Sequence, residues 1–173
     1  MTTIIQTKRL ILRPLTISDA PQMFNHWANS ETVTKYLTWP PHTTVEQTKA
    51  LIAFLEETAD EDWGIVIKAT NELIGTINVV DNKPELQTKA LGYVIGEAYW
   101  GVGYMTEALD AVINYLFTHT EVNRIEASHD VENPASGKVM LKNGMALEGT
   151  LRQAGRNNRG LVDIALYSRL RED

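Results

Sequence analysis

The residues best suited to chemistry lie between positions 92 and 109, where an apolar strand leads through a glycine-bearing turn, residues 96–103, into a helix. Such a turn directs several backbone N–H groups to one point, and the dipole of the following helix adds partial positive charge there. Gly101 and Gly103 keep side chains away from an approaching ligand. The pattern predicts a pyrophosphate-binding turn, and the alternative is an ordinary loop whose glycines cap a helix.

Two common phosphate motifs do not fit this turn. The Gly-Lys-Ser/Thr ending of a nucleotide-binding P-loop is missing, and the Gly-x-Gly-x-x-Gly pattern of a dinucleotide site is incomplete and late in the chain. A nucleotide-binding domain is therefore a weak alternative, which tight binding of ATP or NAD would support.

The composition limits the classes of function. Sixteen basic and 22 acidic residues give a net charge of −6, which argues against a general nucleic-acid role and favours a cationic substrate. An anionic ligand must then be held by local groups. The chain has no cysteine, which excludes disulfides, thiolate nucleophiles and cysteine–zinc sites. Its four histidines show no close ligand spacing, so we expect no metal.

Length and hydropathy predict a single domain over residues 1–173, with 43% hydrophobic and 22% charged residues. No apolar run approaches the ~18 residues typical of a membrane span. The first residues do not resemble a signal peptide. We therefore expect a cytoplasmic protein that does not bind a membrane.

The elements that must position the turn alternate between strands and helices. In the first half, apolar periodicity and turn residues predict the segments. They are strand 9–13, helix 18–28, a helix through residue 57 that Thr44 and Gln47 begin with capping-box spacing, hairpin strands 63–68 and 72–80, polar loop 81–89 and strand 90–95.

The second half carries the stronger patterns, above all an amphipathic helix. The segments are helix 106–118, strand 124–129, a helix that Asn133 and Pro134 begin and Gly144 ends, and closing strands 145–151 and 161–170 around polar loop 152–160. The first two segments and strand 90–95 fit a parallel βαβ unit, whereas the hairpin favours antiparallel pairing. We expect an α+β domain, with helices on the faces of one mixed sheet.

The sequence resembles the GNAT acetyltransferase superfamily over nearly the whole chain. Residues 99–108 (YWGVGYMTEA) are similar to its coenzyme A pyrophosphate loop. Residues 7–15 (TKRLILRPL) are similar to the opening strand of the branch that includes the ribosomal-protein N-terminal (alanine/serine) acetyltransferases. The other matches, to the second motif and the closing strand, are residues 123–127, 133–136, 142–145 and 163–171.

The resemblance implies a mixed, mostly antiparallel sheet that splays between strands 90–95 and 124–129 and is flanked by helices. The first of these strands would carry a bulge, and the pantetheine arm of acetyl-CoA, the acetyl donor, would lie in the gap. A backbone N–H near Ile95 would stabilise the developing oxyanion. The implied cofactor-binding residues, which could instead be only core and loop, are Tyr93, Val94, Ile95, Trp100, Gly101, Val102, Gly103, Tyr104, Met105, Thr106, Asn133, Ser136 and Lys142.

This chain departs from the superfamily pattern at three positions. Trp100 stands where Gln or Arg is usual and Met105 where Gly or Ala is frequent, and both suit contacts made by backbone N–H groups. Met140 occupies the position of the tyrosine acid found in many members. In the ribosomal-protein branch a serine takes that role, and Ser136 matches it as the acid for the departing thiolate. The alternative is a polar residue in a first helical turn.

The attacking amine must lose a proton, which requires a base or a chain of waters. The candidates are Glu31, Glu97, Glu126 and Asp130. Glu31 ranks first, because residues 27–31 resemble the substrate-facing loop after the first helix. Each of the four could instead be structural or solvated.

The resemblance implies direct transfer of acetyl from acetyl-CoA to a primary amine in a ternary complex, where positioning supplies most of the rate. The branch suggests the N-terminal α-amine of a protein as acceptor. One alternative is a small-molecule amine, such as a polyamine, amino acid or aminoglycoside. Another is a non-catalytic acyl-CoA-binding module, motivated by the absent tyrosine acid. Pairing of two chains through the closing strands is left open.

Overall fold

One eight-stranded sheet organises the chain in the computed structural model, which describes residues 2–173. The strands lie in the order β1-β2-β3-β4-β5-β6-β8-β7. They are β1 (Ile5–Gln6), β2 (Leu10–Arg13), β3 (Asp62–Ile67), β4 (Leu73–Lys83), β5 (Thr88–Ile95), β6 (Arg124–Asp130), β7 (Ala146–Asn157) and β8 (Gly160–Leu170). Neighbours are antiparallel except β5 and β6, which are parallel. The prediction of a mixed, mostly antiparallel sheet is confirmed.

Five α-helices accompany the sheet. They are α1 (Ala20–Met23), α2 (Glu31–Thr34), α3 (Val45–Thr58), α4 (Tyr104–His119) and α5 (Pro134–Lys142). The predicted helix 18–28 is a composite, because α1 is preceded by a 3-10 turn (Ile17–Asp19) and followed by a π-helical turn (Phe24–Ala28). The predicted capping box of Thr44 and Gln47 is present at the start of α3.

Helices cover both faces of the sheet because the strands alternate apolar side chains between them. On β3, Ile65 joins the core under α4, whereas Val66 joins Trp27 and Ile52 in the core under α1 and α3. The helical spacing of α4 gives it a fully buried apolar face. That face consists of Ala108, Leu109, Val112, Ile113 and Leu116.

The parallel pair β5–β6 is short, and its early end opens the sheet. Pairing runs only from Thr88↔Arg124 to Leu91↔Ala127. Beyond that point β5 continues beside β4, and β6 continues beside β8. The predicted splay between strands 90–95 and 124–129 is therefore confirmed.

The bulge expected in strand 90–95 lies in its partner instead. Val80 of β4 is the extra residue between the pairs Val79↔Leu91 and Asp81↔Ala90. The predicted position of the bulge is therefore wrong. The extra residue that interrupts the β4–β5 ladder belongs to β4, whereas β5 is a continuous strand.

Two segments predicted as polar loops are strands for most of their length. β4 and β5 take up residues 81–89 except for the turn around Pro84–Leu86. β7 continues through Asn157, with two register shifts against β8. Most side chains in these stretches are exposed. The apolar alternation that marks a half-buried strand is therefore missing, although the backbone ladder forms without it.

Gly75 makes the closest backbone approach between β4 and β5. A Cβ at this position would lie 2.2 Å from the Val94 carbonyl oxygen and 3.0 Å from the Ile95 Cα. We expect Gly75→Ala to push β5 away and to lower the free energy of unfolding by about 1–3 kcal/mol, as measured by urea denaturation. Gly92→Ala is the control. The three atoms nearest to its Cβ would be side-chain atoms, two from the exposed Val80 and the third the Asn78 Oδ1 at 3.8 Å, and none belongs to the backbone. Equal stability of Gly75→Ala and wild type would contradict this account.

Candidate active site

A cavity of about 1040 Å³ opens where β5 and β6 separate. One side is formed by β5, by the glycine turn and by α5, and the other by α1, α2, α3 and the β7–β8 hairpin. All but one of the predicted cofactor-binding residues line it. They are Tyr93, Val94, Ile95, Trp100, Gly101, Gly103, Tyr104, Met105, Thr106, Asn133, Ser136 and Lys142. Val102 is the exception, because its side chain is 49% exposed and lies outside the lining.

The edge of β5 offers backbone donors to this cavity. The Gly96 N–H donates to the Ile74 carbonyl of β4 at 2.8 Å. Because successive N–H groups of a strand point to opposite edges, the N–H groups of Ile95 and Tyr93 point away from β4. The pairing with β6 has ended before these residues. The Ile95 carbonyl, on the same edge, accepts the Trp100 Nε1–H at 2.9 Å.

The turn after β5 depends on two glycines with left-handed backbone. Gly101 and Gly103 have φ angles of +74° and +86°, which a residue with a Cβ adopts only with strain. Gly103 is the N-cap of α4. The N–H groups of the first helical turn therefore lack acceptors within the helix, and this turn lines the cavity.

Arg9 ties the glycine turn to the entry of β2. Its guanidinium bonds to Glu107 at 2.6 Å and to the Val102 carbonyl at 3.1 Å, and it lies over the Tyr104 ring at 4.5 Å. Glu107 also accepts from the Thr7 hydroxyl at 2.6 Å and from the Arg9 N–H at 2.8 Å. Burial opposes ionisation of Glu107, but these donors outweigh it and lower the pKa of Glu107. Sequence reasoning missed this contact, since its partners lie about 100 residues apart.

Ser136 and Tyr93 bond to each other at the wall of the cavity. The Ser136 hydroxyl donates to Tyr93 Oη at 3.0 Å, and Tyr93 Oη donates to the Ser136 carbonyl at 2.9 Å. Burial raises the pKa of Tyr93, so the phenol stays protonated. The phenol therefore fixes the orientation of the serine hydroxyl.

Asn133 occupies the N-cap position of α5, but its side chain makes no capping bond. The predicted start of the helix at Asn133 and Pro134 is confirmed, and the backbone rather than the Asn133 side chain closes the first turn. The Ser136 N–H donates to the Asn133 carbonyl at 3.2 Å. The Asn133 amide is left among the residues that line the cavity.

The four predicted bases are either outside the cavity or already bonded. Glu31 is exposed on the first turn of α2 and does not line the cavity, whose wall in that turn comes from residues 32 and 33. Glu97 and Glu126 are also absent from the lining. Asp130 lines it but is buried against Arg159 at 2.8 Å. The structure therefore does not bring Glu31 to the site, because the exposed side of α2 carries it.

Asp62 is a cavity residue that sequence reasoning missed. It begins β3 and is 9% exposed. Its carboxylate has no hydrogen bond or ion pair with any of residues 2–173. Burial alone raises the pKa of Asp62 to about 6, from an ordinary value of 3.8. The predicted strand 63–68 begins one residue after Asp62, and no local pattern distinguished Asp62 from a solvated loop residue.

Residues 2–173 contain no group of three histidine, cysteine, aspartate or glutamate side chains that could hold a metal ion. No helix in the same part of the chain is long and apolar enough to cross a membrane.

The splayed mixed sheet with a glycine turn at a helix N-terminus defines the class, an acetyltransferase of the GNAT fold. A sequence model of the acetyltransferase (GNAT) domain matches residues 9–146. The chain belongs to this family.

Individual relatives agree with that assignment. An uncharacterised N-acetyltransferase, p20, of Bacillus licheniformis is 33% identical over 98% of this chain and 97% of its own length. The ribosomal-protein-serine acetyltransferase of Escherichia coli is 37% identical over 58% of this chain and 56% of its own. A ribosomal L7/L12 α-N-protein acetyltransferase solved with coenzyme A has a TM-score of 0.83 at 25% identity, covering 97% of this chain and 98% of that one. The chain is an N-acetyltransferase, which goes against the non-catalytic alternative.

The contact between Arg9 and the glycine turn predicts weaker cofactor binding when it is removed. Arg9→Ala loses a charge-assisted bond worth about 1.5 kcal/mol, so we expect coenzyme A to bind about 10-fold more weakly in calorimetry. Lys8→Ala is the control, because it removes the same charge from an exposed neighbour. Unchanged affinity in Arg9→Ala would show that the turn holds its shape alone.

The buried Asp62 carboxylate predicts a pH-dependent gain in stability when it is neutralised. The pKa of Asp62 is raised in the folded state. The protonated carboxyl therefore contributes its full stability to the fold below about pH 4, and this contribution is lost as the pH rises through about 6. Asp62→Asn should gain on the order of 1–3 kcal/mol at pH 8 and almost nothing at pH 4, as measured by urea unfolding. The exposed Asp110→Asn should show no such pH dependence, and an equal result for both variants would contradict the burial cost.

Proposed function

We propose that the protein transfers the acetyl group of acetyl-CoA directly to a primary amine, with the N-terminal α-amine of a protein as acceptor. The observation that carries this proposal is the edge of β5. Its unpaired N–H at Ile95 lies in one cavity with the glycine turn and with Ser136.

The donor side of the cavity fits the parts of acetyl-CoA. The backbone N–H groups at the start of α4 suit the pyrophosphate, in keeping with anion binding at helix N-termini. The gap between β5 and β6 suits the pantetheine arm, and the Asn133 amide is available to it. Lys138 and Lys142 line the same side and suit the remaining phosphate. These local groups offset the net charge of −6.

The chain's own groups then account for the transfer. The amine nitrogen attacks the thioester carbonyl, and the Ile95 N–H stabilises the negative charge that develops on its oxygen. The carbon–sulfur bond breaks with its electron pair on sulfur. The nitrogen of the tetrahedral adduct releases its proton to water. Ser136 turns its O–H from Tyr93 Oη to the thiolate, supplies the proton to sulfur and recovers one from the same water. No covalent acetyl-enzyme is needed, and the chain has no cysteine to form one.

The acceptor class rests on the relatives, since two similar proteins are named for acting on ribosomal proteins. A small-molecule amine is the second candidate, and one contact favours it. The Asn158 amide donates to the carbonyls of Thr34 and Trp39 at 2.8 and 2.7 Å. The end of the β7–β8 hairpin is thereby joined to the segment after α2, which narrows the acceptor side.

Coenzyme A release with a thiol-reactive dye tests the proposal. Every dye-reactive thiol must come from product, because the protein has no cysteine. The panel pairs short peptides with free Ala, Ser or Thr N-termini against polyamines, amino acids and aminoglycosides. We expect turnover of peptides. Turnover confined to small amines would identify a small-molecule amine as the acceptor. Failure to bind acetyl-CoA in calorimetry would overturn the proposal.

Ser136→Ala tests the acid. We expect kcat to fall about 10²-fold, the lower range for general acid catalysis, with little change in the KM for acetyl-CoA. Ser18→Ala is the control, because Ser18 is exposed and lies outside the cavity. A kcat within about twofold of wild type would assign protonation of the thiolate to water.

A further inference from the structure

Asp62 lies on the acceptor side of the cavity, away from the residues that suit acetyl-CoA. It is paired with Asn78 of β4, which is paired with Gly92 of β5. Residues directly opposite each other share one face of a sheet. Asp62 is therefore on the face covered by α3, whose Leu51 and Leu55 line the same cavity.

No cation of residues 2–173 forms an ion pair with the Asp62 carboxylate, including the basic residues that line the cavity, which are Lys35, Lys138, Lys142 and Arg156. The preceding Glu61 already forms an ion pair with Lys89. The side chains of β4 on this face, Thr76 and Asn78, are neutral. The other acid that lines the cavity, Asp130, is bonded to arginine and asparagine side chains. Asp62 is thus the unpartnered acid of this cavity within residues 2–173.

An unpaired buried carboxylate lowers stability unless something else compensates for it. A structural acid would be expected to have a hydrogen-bond donor or a cation beside it. The carboxylate of Asp62 has neither within residues 2–173, yet it lines the cavity. A ligand of the cavity can supply the missing partner, and a positively charged ligand suits an ionised carboxylate.

The distance to the reaction centre decides which cation this is. Asp62 and Gly92 lie two strand spacings of about 4.8 Å apart, and three residues of about 3.3 Å each lead from Gly92 to Ile95. The Cα atoms of Asp62 and Ile95 are thus on the order of 14 Å apart. A general base must lie within hydrogen-bond reach of the proton that it removes. Asp62 is too far away to deprotonate an amine that reacts beside Ile95.

We infer that Asp62 is a specificity-determining residue that binds a second positive charge of the acceptor, on the order of 10 Å from the reacting amine. This inference rests on the proposed acetyl transfer to a primary amine. The acceptor is then a dication with an apolar spacer. The apolar side chains of Leu51, Leu55 and Val80 line the cavity and suit the spacer.

Such an acceptor has two sources with one chemistry, a polyamine or a peptide whose basic side chain lies a few residues after its N-terminus. 1,8-Diaminooctane and n-octylamine form the first pair of probes, with the same apolar chain but two positive charges in the first and one in the second. The C-terminal amides of Ala-Ala-Ala-Lys and Ala-Ala-Ala-norleucine form the second pair, because the amide removes the carboxylate charge. A preference for the dication in the first pair identifies a polyamine as the acceptor, and a preference in the second pair identifies a peptide.

Steady-state kinetics with acetyl-CoA test the inference on wild type and Asp62→Asn. Wild type should have a KM for the dication about 10- to 100-fold below that for its monocation, as expected for a charge-assisted bond. Asp62→Asn should remove this preference by raising the KM for the dication, with kcat changed less than about threefold. Asp62→Glu should restore part of the preference, and Asp110→Asn should leave it intact.

Calorimetry provides a readout that does not depend on turnover. 1,8-Diaminooctane and Ala-Ala-Ala-Lys amide should each be compared with the matched monocation, with coenzyme A present and absent. Tighter binding of one dication to wild type, and its loss in Asp62→Asn, would support the inference even if no turnover occurred. Equal binding of dication and monocation by wild type would overturn it. Turnover without any dication preference would overturn the inference and leave the proposed acetyl transfer standing.

Discussion

The active site depends on one constraint in the sheet, which is that β5 and β6 stop pairing after Leu91↔Ala127. Each strand continues with its other neighbour, so the gap is held open from both sides. Buried backbone donors need acceptors, and the edge of β5 beyond Leu91 has lost those that β6 would supply. The same edge ends at the glycine turn. Backbone geometry therefore creates the donor groove, and side chains complete it.

The two sides of the cavity offer different charged groups, and both include basic residues. On the donor side, backbone N–H groups and the lysines of α5 face the position suited to phosphates. Arg9 does not line this side and instead uses its charge to hold the glycine turn through Glu107. Trp100, which replaces a polar residue of the superfamily pattern, donates to the Ile95 carbonyl and holds the turn against the end of β5. An acidic chain can thus accommodate an anionic donor without a positive overall field.

Beside α3, the Asp62 carboxylate lowers stability because it is buried and has no hydrogen bond or ion pair within residues 2–173. Active sites often retain such unfavourable groups because binding uses them. The Asn158 contacts join the β7–β8 hairpin to the segment after α2 and limit the width of this side. The inferred dicationic acceptor, whether a peptide or a polyamine, would have to be slender enough for this width.

The sequence by itself determined what depends on local pattern. The helical spacing of α4, the capping box of α3, the glycine turn and the apolar strands were all readable, and the family resemblance added the splay and most of the cavity residues. Tertiary structure decided the rest. Residues 81–89 and 152–157 became strands through ladder bonds that require no apolar side chains. Glu31 fell outside the cavity, whereas Asp62 and the Arg9–Glu107 pair gained their environments from segments distant in the chain. Burial, pKa and ion pairing depend on such long-range packing, and the spacing of residues along one segment does not specify it.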